Sequence, residues 1–231
     1  MLDVETLHPS RLTSSDTALW RGMAAAELAF SNPLLGPDFT QAVGRVREDA
    51  RVAIIRRAGE TLGFLPHHRR SGGLARAIGS PLSDYHAIVS RPDPGFRAED
   101  VLRAADLSVF RYTGLVDPFG VFGGVGEPQT AFVIAPEGAS DAYLEAVRAA
   151  SPKKIKNYRR LDHKLGREMG EVRLVAPDPS RQAFDLLIAW KREQLQRTGL
   201  HDFLRPAWTN GLLVDLFERR TGDFQGLMIG L

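Results

Sequence analysis

VAIIRRAGETLGFL (52–65) is the stretch on which the reading of this chain turns. Val52-Ala53-Ile54-Ile55 and Thr61-Leu62-Gly63-Phe64-Leu65 are short apolar runs on either side of Ala58-Gly59-Glu60, the pattern of a β-hairpin with buried strands. Upstream, 2–7 reads as a short strand. Ser14 or Ser15 offers an N-cap for a helix running to about Phe30, with Leu19, Met23 and Ala26 on one face. A second helix starts after Pro37, since proline suits a first helical turn. Downstream, 74–78 and 86–89 are strand candidates separated by the turn residues Gly79, Ser80, Pro81 and Asp84. A short helix at 97–104, a strand at 107–112, a Gly-rich loop at 117–127 and a strand at 131–135 follow.

The second half is mainly helical. A helix at 141–150 is followed by another restarting at Ser151-Pro152 and stopped by Gly170. A strand at 171–175 leads to a long helix over 179–197, with Phe184, Leu187, Ile188 and Leu195 at helical spacing. Thr209 caps a last helix striped by Leu212, Leu213, Leu216 and Phe217, and 224–231 reads as an apolar strand. The fold class is thus α/β (α+β), in two blocks of mixed sheets flanked by helices. The first domain is 1–136 and the second 137–231, with the boundary near 136–140. A lone apolar strand at the end of the second block leaves backbone groups unpaired. The expectation is a second domain incomplete at its C-terminus.

Composition narrows the function classes. With 43% hydrophobic and 25% charged residues the chain is not intrinsically disordered. A formal net charge of +2 does not make nucleic acid the default partner, so any basic character is local. The absence of cysteine excludes disulfides, thiolate metal sites and a cysteine nucleophile, and fits a cytoplasmic location. No run approaches the roughly 20 apolar residues of a membrane span, and the start MLDVETLHPS lacks a signal-peptide pattern.

Local basic character is concentrated in SPKKIKNYRRLDHKLGR (151–167). Lys153, Lys154, Lys156, Arg159, Arg160, Lys164 and Arg167 stand against a single acid, Asp162. On a helix, Ile155, Tyr158, Leu161 and Leu165 form an apolar stripe flanked by these cations. Lys156 and Arg159 are candidates for gripping a phosphate-rich or polyanionic substrate, or tRNA. A solvated amphipathic helix is the other reading of the same pattern.

In SPLSDYHAIV (80–89), Asp84-Tyr85-His86 enters a strand straight after a turn. Asp84 and His86 could act as an acid/base couple beside a substrate-facing Tyr85; an Asx-turn with His86 satisfied at the sheet rim accounts for them equally. His67-His68-Arg69-Arg70 is expected to be an exposed hairpin end, because adjacent histidines on a strand point to opposite faces and chelate poorly. PFGVFGGVGEP (118–128) is followed by Pro128 and a β-like stretch rather than a helix, which excludes a phosphate-cradling loop. No zinc-site spacing is present, so no metal is expected. Lys191 and Gln194, three apart on a helix, share a face and could reach one ligand. Trp190 and Trp208 could wall an apolar or sugar-like surface, although burial is the commoner fate of such tryptophans.

These stretches resemble a known family. Trp20 in the first helix, PLLGPDFTQAV (33–43), GFLPHHR, IGSPLSDYHAIV, the basic helix and AWKREQLQRTGLHDFLRPAW occur in the order found in acyltransferases of the GNAT superfamily of the cellulose-biosynthesis CelD type, distant relatives of the FemAB aminoacyl transferases. The SPLSDY segment and K-x-x-Q-x-x-x-T-G (191–199) are the most specific. The resemblance implies tandem GNAT-like domains and transfer of an acetyl or other acyl group from acetyl-CoA or another acyl-CoA to an amine or hydroxyl on a small-molecule or saccharide acceptor. Polysaccharide or cell-envelope biosynthesis is the implied setting, and an aminoacyl-tRNA donor or a non-catalytic polyanion-binding role is the alternative. It would place Asp84, Tyr85, His86 and the basic helix near a cleft, with Lys191, Gln194 and Trp208 positioning the acceptor. The family's R/Q-x-x-G-x-G/A motif, which marks the strand-to-helix turn that grips coenzyme A, is expected to be absent from this chain, so the donor site is expected beyond Leu231.

Overall fold

Strand pairing is organised by the hairpin. β2 (Ala50–Arg57) and β3 (Glu60–Arg69) are antiparallel, with Ile54 opposite Phe64 and Ala53 opposite Leu65. Ala58 and Gly59 join them, both at positive φ (50° and 83°), the turn whose twist matches that of paired strands. The computed structural model describes residues 2–132, 140–220, 222 and 224–230. β1 (Asp3–Leu7) lies antiparallel on the free side of β2. β4 (Leu74–Ala77) and β5 (Val89–Ser90) share the far edge of β3, and β6 (Val109–Arg111) runs parallel to β4, giving a mixed sheet in the order β1-β2-β3-β4-β6.

Two helices separate β1 from β2. α1 (Ser14–Ala25) begins at a reciprocal capping box, in which the Thr13 hydroxyl accepts from the Asp16 N–H while the Asp16 carboxylate accepts from the Thr13 N–H. The cap is therefore one residue before the serines expected from sequence. The helix also stops at Ala25, and Phe30 belongs to a separate short turn. α2 (Pro37–Val46) starts at Pro37 as expected. α3 (Ala98–Ala104) is the crossover between β5 and β6.

Alternation along the strands builds a core on each side of the sheet. Ala53, Ile55, Leu65, Ala75 and Ile88 face Val101 and Leu107 on one side. Val52, Ile54, Phe64 and Val89 face Trp20, Phe30 and Leu35 on the other. Trp20 is fully buried and stacks on Phe64, and its indole N–H donates to the Leu35 carbonyl at 2.9 Å. That bond satisfies a polar atom that would otherwise be buried unpaired.

The second half contains α4 (Ser140–Ala150), α5 (Pro152–Met169), α6 (Arg181–Arg197) and α7 (Ala207–Glu218). Gly170, at φ 90°, ends α5 as predicted. Thr209 is not a cap: α7 begins earlier, and the Thr209 hydroxyl donates to the Pro206 carbonyl. Its Leu212 is buried with Phe39, Ala42, Val43, Ala50 and Ile78, which packs α7 on α2.

The chain forms two compact units, Met1–Glu127 with Phe184–Gly226, and Pro128–Ala183 with Leu227–Leu231. The expected strands at 171–175 and 224–231 do not form among the described residues. One antiparallel bridge, Val175 with Gly230, is made, with backbone hydrogen bonds in both directions. The strand expected at 131–135 shows no pairing at Ala131 and Phe132, and its remainder lies outside the described residues, as do 136–139 at the expected boundary.

Candidate functional site

The route to the site starts at β4. After Ala77 the chain leaves the edge of β3, turns at Gly79, and returns at Val89. Ser80 and Leu82 begin closing this turn through N–H bonds to the carbonyls of Ala77 and Gly79, and the Ser83 hydroxyl donates to the Ile78 carbonyl. The turn delivers Asp84, Tyr85 and His86. His86 then bridges to Leu115, its N–H donating to Gly114 and its carbonyl accepting from Val116. The strand expected over 86–89 is thereby reduced to a bridge at His86 and the two residues of β5, since β4 already occupies the β3 edge opposite His67.

The three side chains fall in different environments. Asp84 is exposed, Tyr85 is half-buried against the core that holds Trp20, and His86 is only 4% exposed. Neither ring nitrogen of His86 makes a hydrogen bond of good geometry among the described residues, the Ser83 backbone approaching it only loosely, so Asp84 and His86 are not a hydrogen-bonded couple. Nor is His86 satisfied at a sheet rim. Burial pushes its pKa down to about 4, against weaker opposing effects of the Asp84 charge and the Ser83 backbone. At neutral pH it is an uncharged imidazole with one N–H to give and one lone pair to receive.

His67 and His68 overturn their expected placement. Both lie within β3 rather than at an exposed hairpin end, at 0% and 2% exposure. Being adjacent on a strand they do point to opposite faces, and both faces are covered. Burial lowers each pKa to about 4. His67 is held by the Leu65 carbonyl at 3.1 Å, and its Nε2 has no partner among the described residues. His68 belongs to a polar cluster that sequence spacing did not reveal. Its Nδ1 lies 3.1 Å from Asp49 Oδ1 and its Nε2 accepts from the Gly79 N–H at 3.0 Å. Asp49 is also gripped by both arms of Arg47, at 2.8 and 2.7 Å, and by Arg70 at 3.3 Å. Burial opposes the Asp49 charge, but Arg47, His68 and Arg70 together hold its pKa down at about 2.

Trp208 closes this cluster from α7. The Arg47 guanidinium lies over its ring at 4.9 Å, and the His68 ring meets it edge-on at 6.3 Å. Trp208 is half-buried, whereas Trp190 is 62% exposed on α6 and does not join the core. Lys191 and Gln194 share a face as expected, Nζ to Oε1 at 3.1 Å, both exposed. Asp84, Tyr85, His86, Lys191, Gln194 and Trp208 all belong to one compact unit. Lys156 and Arg159 belong to the other, on α5, where Tyr158, Leu161 and Leu165 are also exposed. Every residue of α5 after Ile155 is exposed, as in the solvated-helix reading.

Arg70-Ser71-Gly72-Gly73-Leu74-Ala75 does spell R-x-x-G-x-A. It forms the turn between β3 and β4, with Gly72 and Gly73 at positive φ, and leads into a strand. It therefore lacks the helix N-terminus that completes an anion site. A groove of about 550 Å³ between β1 and α3, lined by Asp3, Arg57, Asp100 and Arg103, contains none of the residues singled out from sequence. Among the described residues, no cluster of three or more His, Asp or Glu is placed to hold a metal, and no helix is long and apolar enough to cross a membrane.

No curated protein and no solved structure matches this chain. A family model does match: residues 152–231, about a third of the chain, fit the acetyltransferase (GNAT) domain. The chain therefore carries, from α5 onward, the sequence pattern of a GNAT-type acetyltransferase domain, which points to acyl transfer as its general chemistry.

Proposed function

We propose that this protein transfers an acyl group, acetyl in the simplest case, from a coenzyme A thioester to an amine or hydroxyl of a small-molecule or saccharide acceptor, in polysaccharide or cell-envelope biosynthesis. The observation that carries this reading is the GNAT-domain match over 152–231. The mixed open sheet flanked by helices is compatible with a first GNAT-like domain over 1–136; the second, over 137–231, is carried by the family match alone, since 184–226 form one compact unit with 1–127. The acceptor nucleophile attacks the thioester carbonyl once a base has taken its proton, and the thiolate of coenzyme A leaves. With no cysteine in the chain, transfer is direct rather than through a thioester enzyme.

In this reading exposed Asp84 takes the acceptor proton, and neutral His86 offers its N–H or lone pair to the acceptor. Tyr85, Lys191, Gln194 and Trp208 position the acceptor, and Lys156 and Arg159 bind anionic groups. Calorimetric titration of acetyl-CoA, followed by mass-spectrometric detection of acetyl transfer to amine and hydroxyl acceptors, tests the proposal. Saturable binding and acetylated product are expected; absence of both overturns it. The exposed cationic face of α5 favours a second reading, an aminoacyl-tRNA donor. Charged tRNA would then bind with an affinity that falls steeply with salt.

A further inference from the structure

The Gly79–His86 turn is tied to the sheet by one imidazole. A backbone N–H can only donate, so the Gly79 N–H at 3.0 Å requires a bare lone pair on His68 Nε2. Burial keeps this ring neutral at pH 7, so its single proton sits on Nδ1 and points at Asp49 Oδ1, 3.1 Å away. Asp49 cannot turn to another partner, because Arg47 holds both of its oxygens and Arg70 approaches Oδ2. Arg47 is in turn covered by Trp208. The result is a directional chain from Asp49 through His68 to the Gly79 N–H.

Gly79 is a sensitive point to hold. Its φ is +71°, and a Cβ there would come within 2.5 Å of Phe39 Cζ, so the turn passes in contact with α2. The Gly79 carbonyl then accepts from Leu82 and Ser83, the residues immediately before Asp84. Fixing Gly79 therefore fixes where the turn releases the chain into Asp84-Tyr85-His86.

We infer that His68 is a positioning residue: held in its Nδ1–H tautomer by Asp49, it anchors Gly79 and so sets the placement of Asp84, Tyr85 and His86. Its link to activity rests on the reading of those three residues as the acceptor side of an acyltransferase site. The anchoring itself is tested without activity. Long-range ¹H–¹⁵N correlation spectra of the wild-type chain at pH 7 are expected to show His68 with a protonated Nδ1 and a bare Nε2. An Nε2–H tautomer or an imidazolium overturns the inference, whatever the protein catalyses. His68→Gln can still accept from Gly79 and donate to Asp49, whereas His68→Leu can do neither. Hydrogen exchange at Gly79, Leu82, Ser83 and His86 is expected to rise at least about tenfold in His68→Leu, to stay within about threefold of wild type in His68→Gln, and to leave the β1–β2 amides unchanged in both. Equal exchange in the two variants overturns the inference. If the spectra and exchange behave as expected but no acyl transfer is found, the proposed function fails and the anchor stands.

Discussion

Gly114 and Asp84 touch through their backbones: a Cβ on Gly114 would lie 1.9 Å from the Asp84 carbonyl oxygen, and Gly114 has φ +64°. The His86 N–H donates to the Gly114 carbonyl in the same place. Only glycine allows this approach, so the loop after β6 clamps the segment that carries the candidate site.

Gly114→Ala is therefore expected to lose at least about 1 kcal/mol from the left-handed backbone alone, with more from displacement of Asp84. Urea denaturation measures the loss. Amide shifts should concentrate at 84–86 and 114–116. A variant as stable as wild type, with unmoved amides, contradicts this account.

His86→Phe separates stability from function. Two buried ring nitrogens that make no well-formed hydrogen bond among the described residues are a cost in the folded state that phenylalanine does not have, so stability should be unchanged or rise by about 1 kcal/mol. Acyl transfer should fall at least tenfold in kcat/KM. Unchanged kcat/KM would remove His86 from the proposed mechanism.

Trp20→Ala is expected to cost about 3–5 kcal/mol, because a fully buried indole is replaced by a cavity beside Phe64. Trp20→Phe should cost less, since a ring on Phe64 remains while the Leu35 carbonyl loses its donor. Similar midpoints for the two variants in denaturant would argue against this packing.

Acid should destabilise the fold through three histidines. His67, His68 and His86 have folded pKa values of about 4, below the ordinary 6.5, so the unfolded chain binds more protons between those limits. Stability then rises with pH across that window and is lost as pH falls from about 6.5 toward 4, by about 3 kcal/mol per histidine. Below that, Asp49 continues the loss: its pKa of about 2 contributes stability that disappears as pH falls from about 3.8. Denaturation midpoints at pH 7, 5.5 and 4.5 test the sign; a flat profile would refute it.

Lys191→Met removes one hydrogen bond between exposed side chains, so stability should change by less than about 0.5 kcal/mol. A rise in KM for the acceptor at unchanged stability would assign Lys191 to binding. Unchanged KM would leave it as surface.

The hairpin at 52–65, the starts of α2 and α5 and the end of α5 were legible because each rests on contacts within a few residues: alternation, a proline in the first turn, a glycine at positive φ. The start of α1 is ambiguous in sequence, since Thr13 and the serines after it are all good caps, and only the reciprocal bond with Asp16 selects Thr13. Asp84, Tyr85 and His86 were found as a polar triplet after a turn, but their separation into exposed, half-buried and buried positions was not. That depends on Leu115, Gly114 and the core around Trp20, which are distant in sequence.

By itself the sequence determined an α/β chain with a central hairpin, one cationic helix and no thiol chemistry, because composition and short-range periodicity suffice for those features. Tertiary structure alone decided that His67 and His68 are buried, that Asp49, Arg47 and Trp208 meet around His68, and that α7 packs on α2. The reason is physical. The same imidazole or indole is exposed or buried according to what the rest of the chain lays over it, and a strand pattern specifies two faces without specifying what covers them.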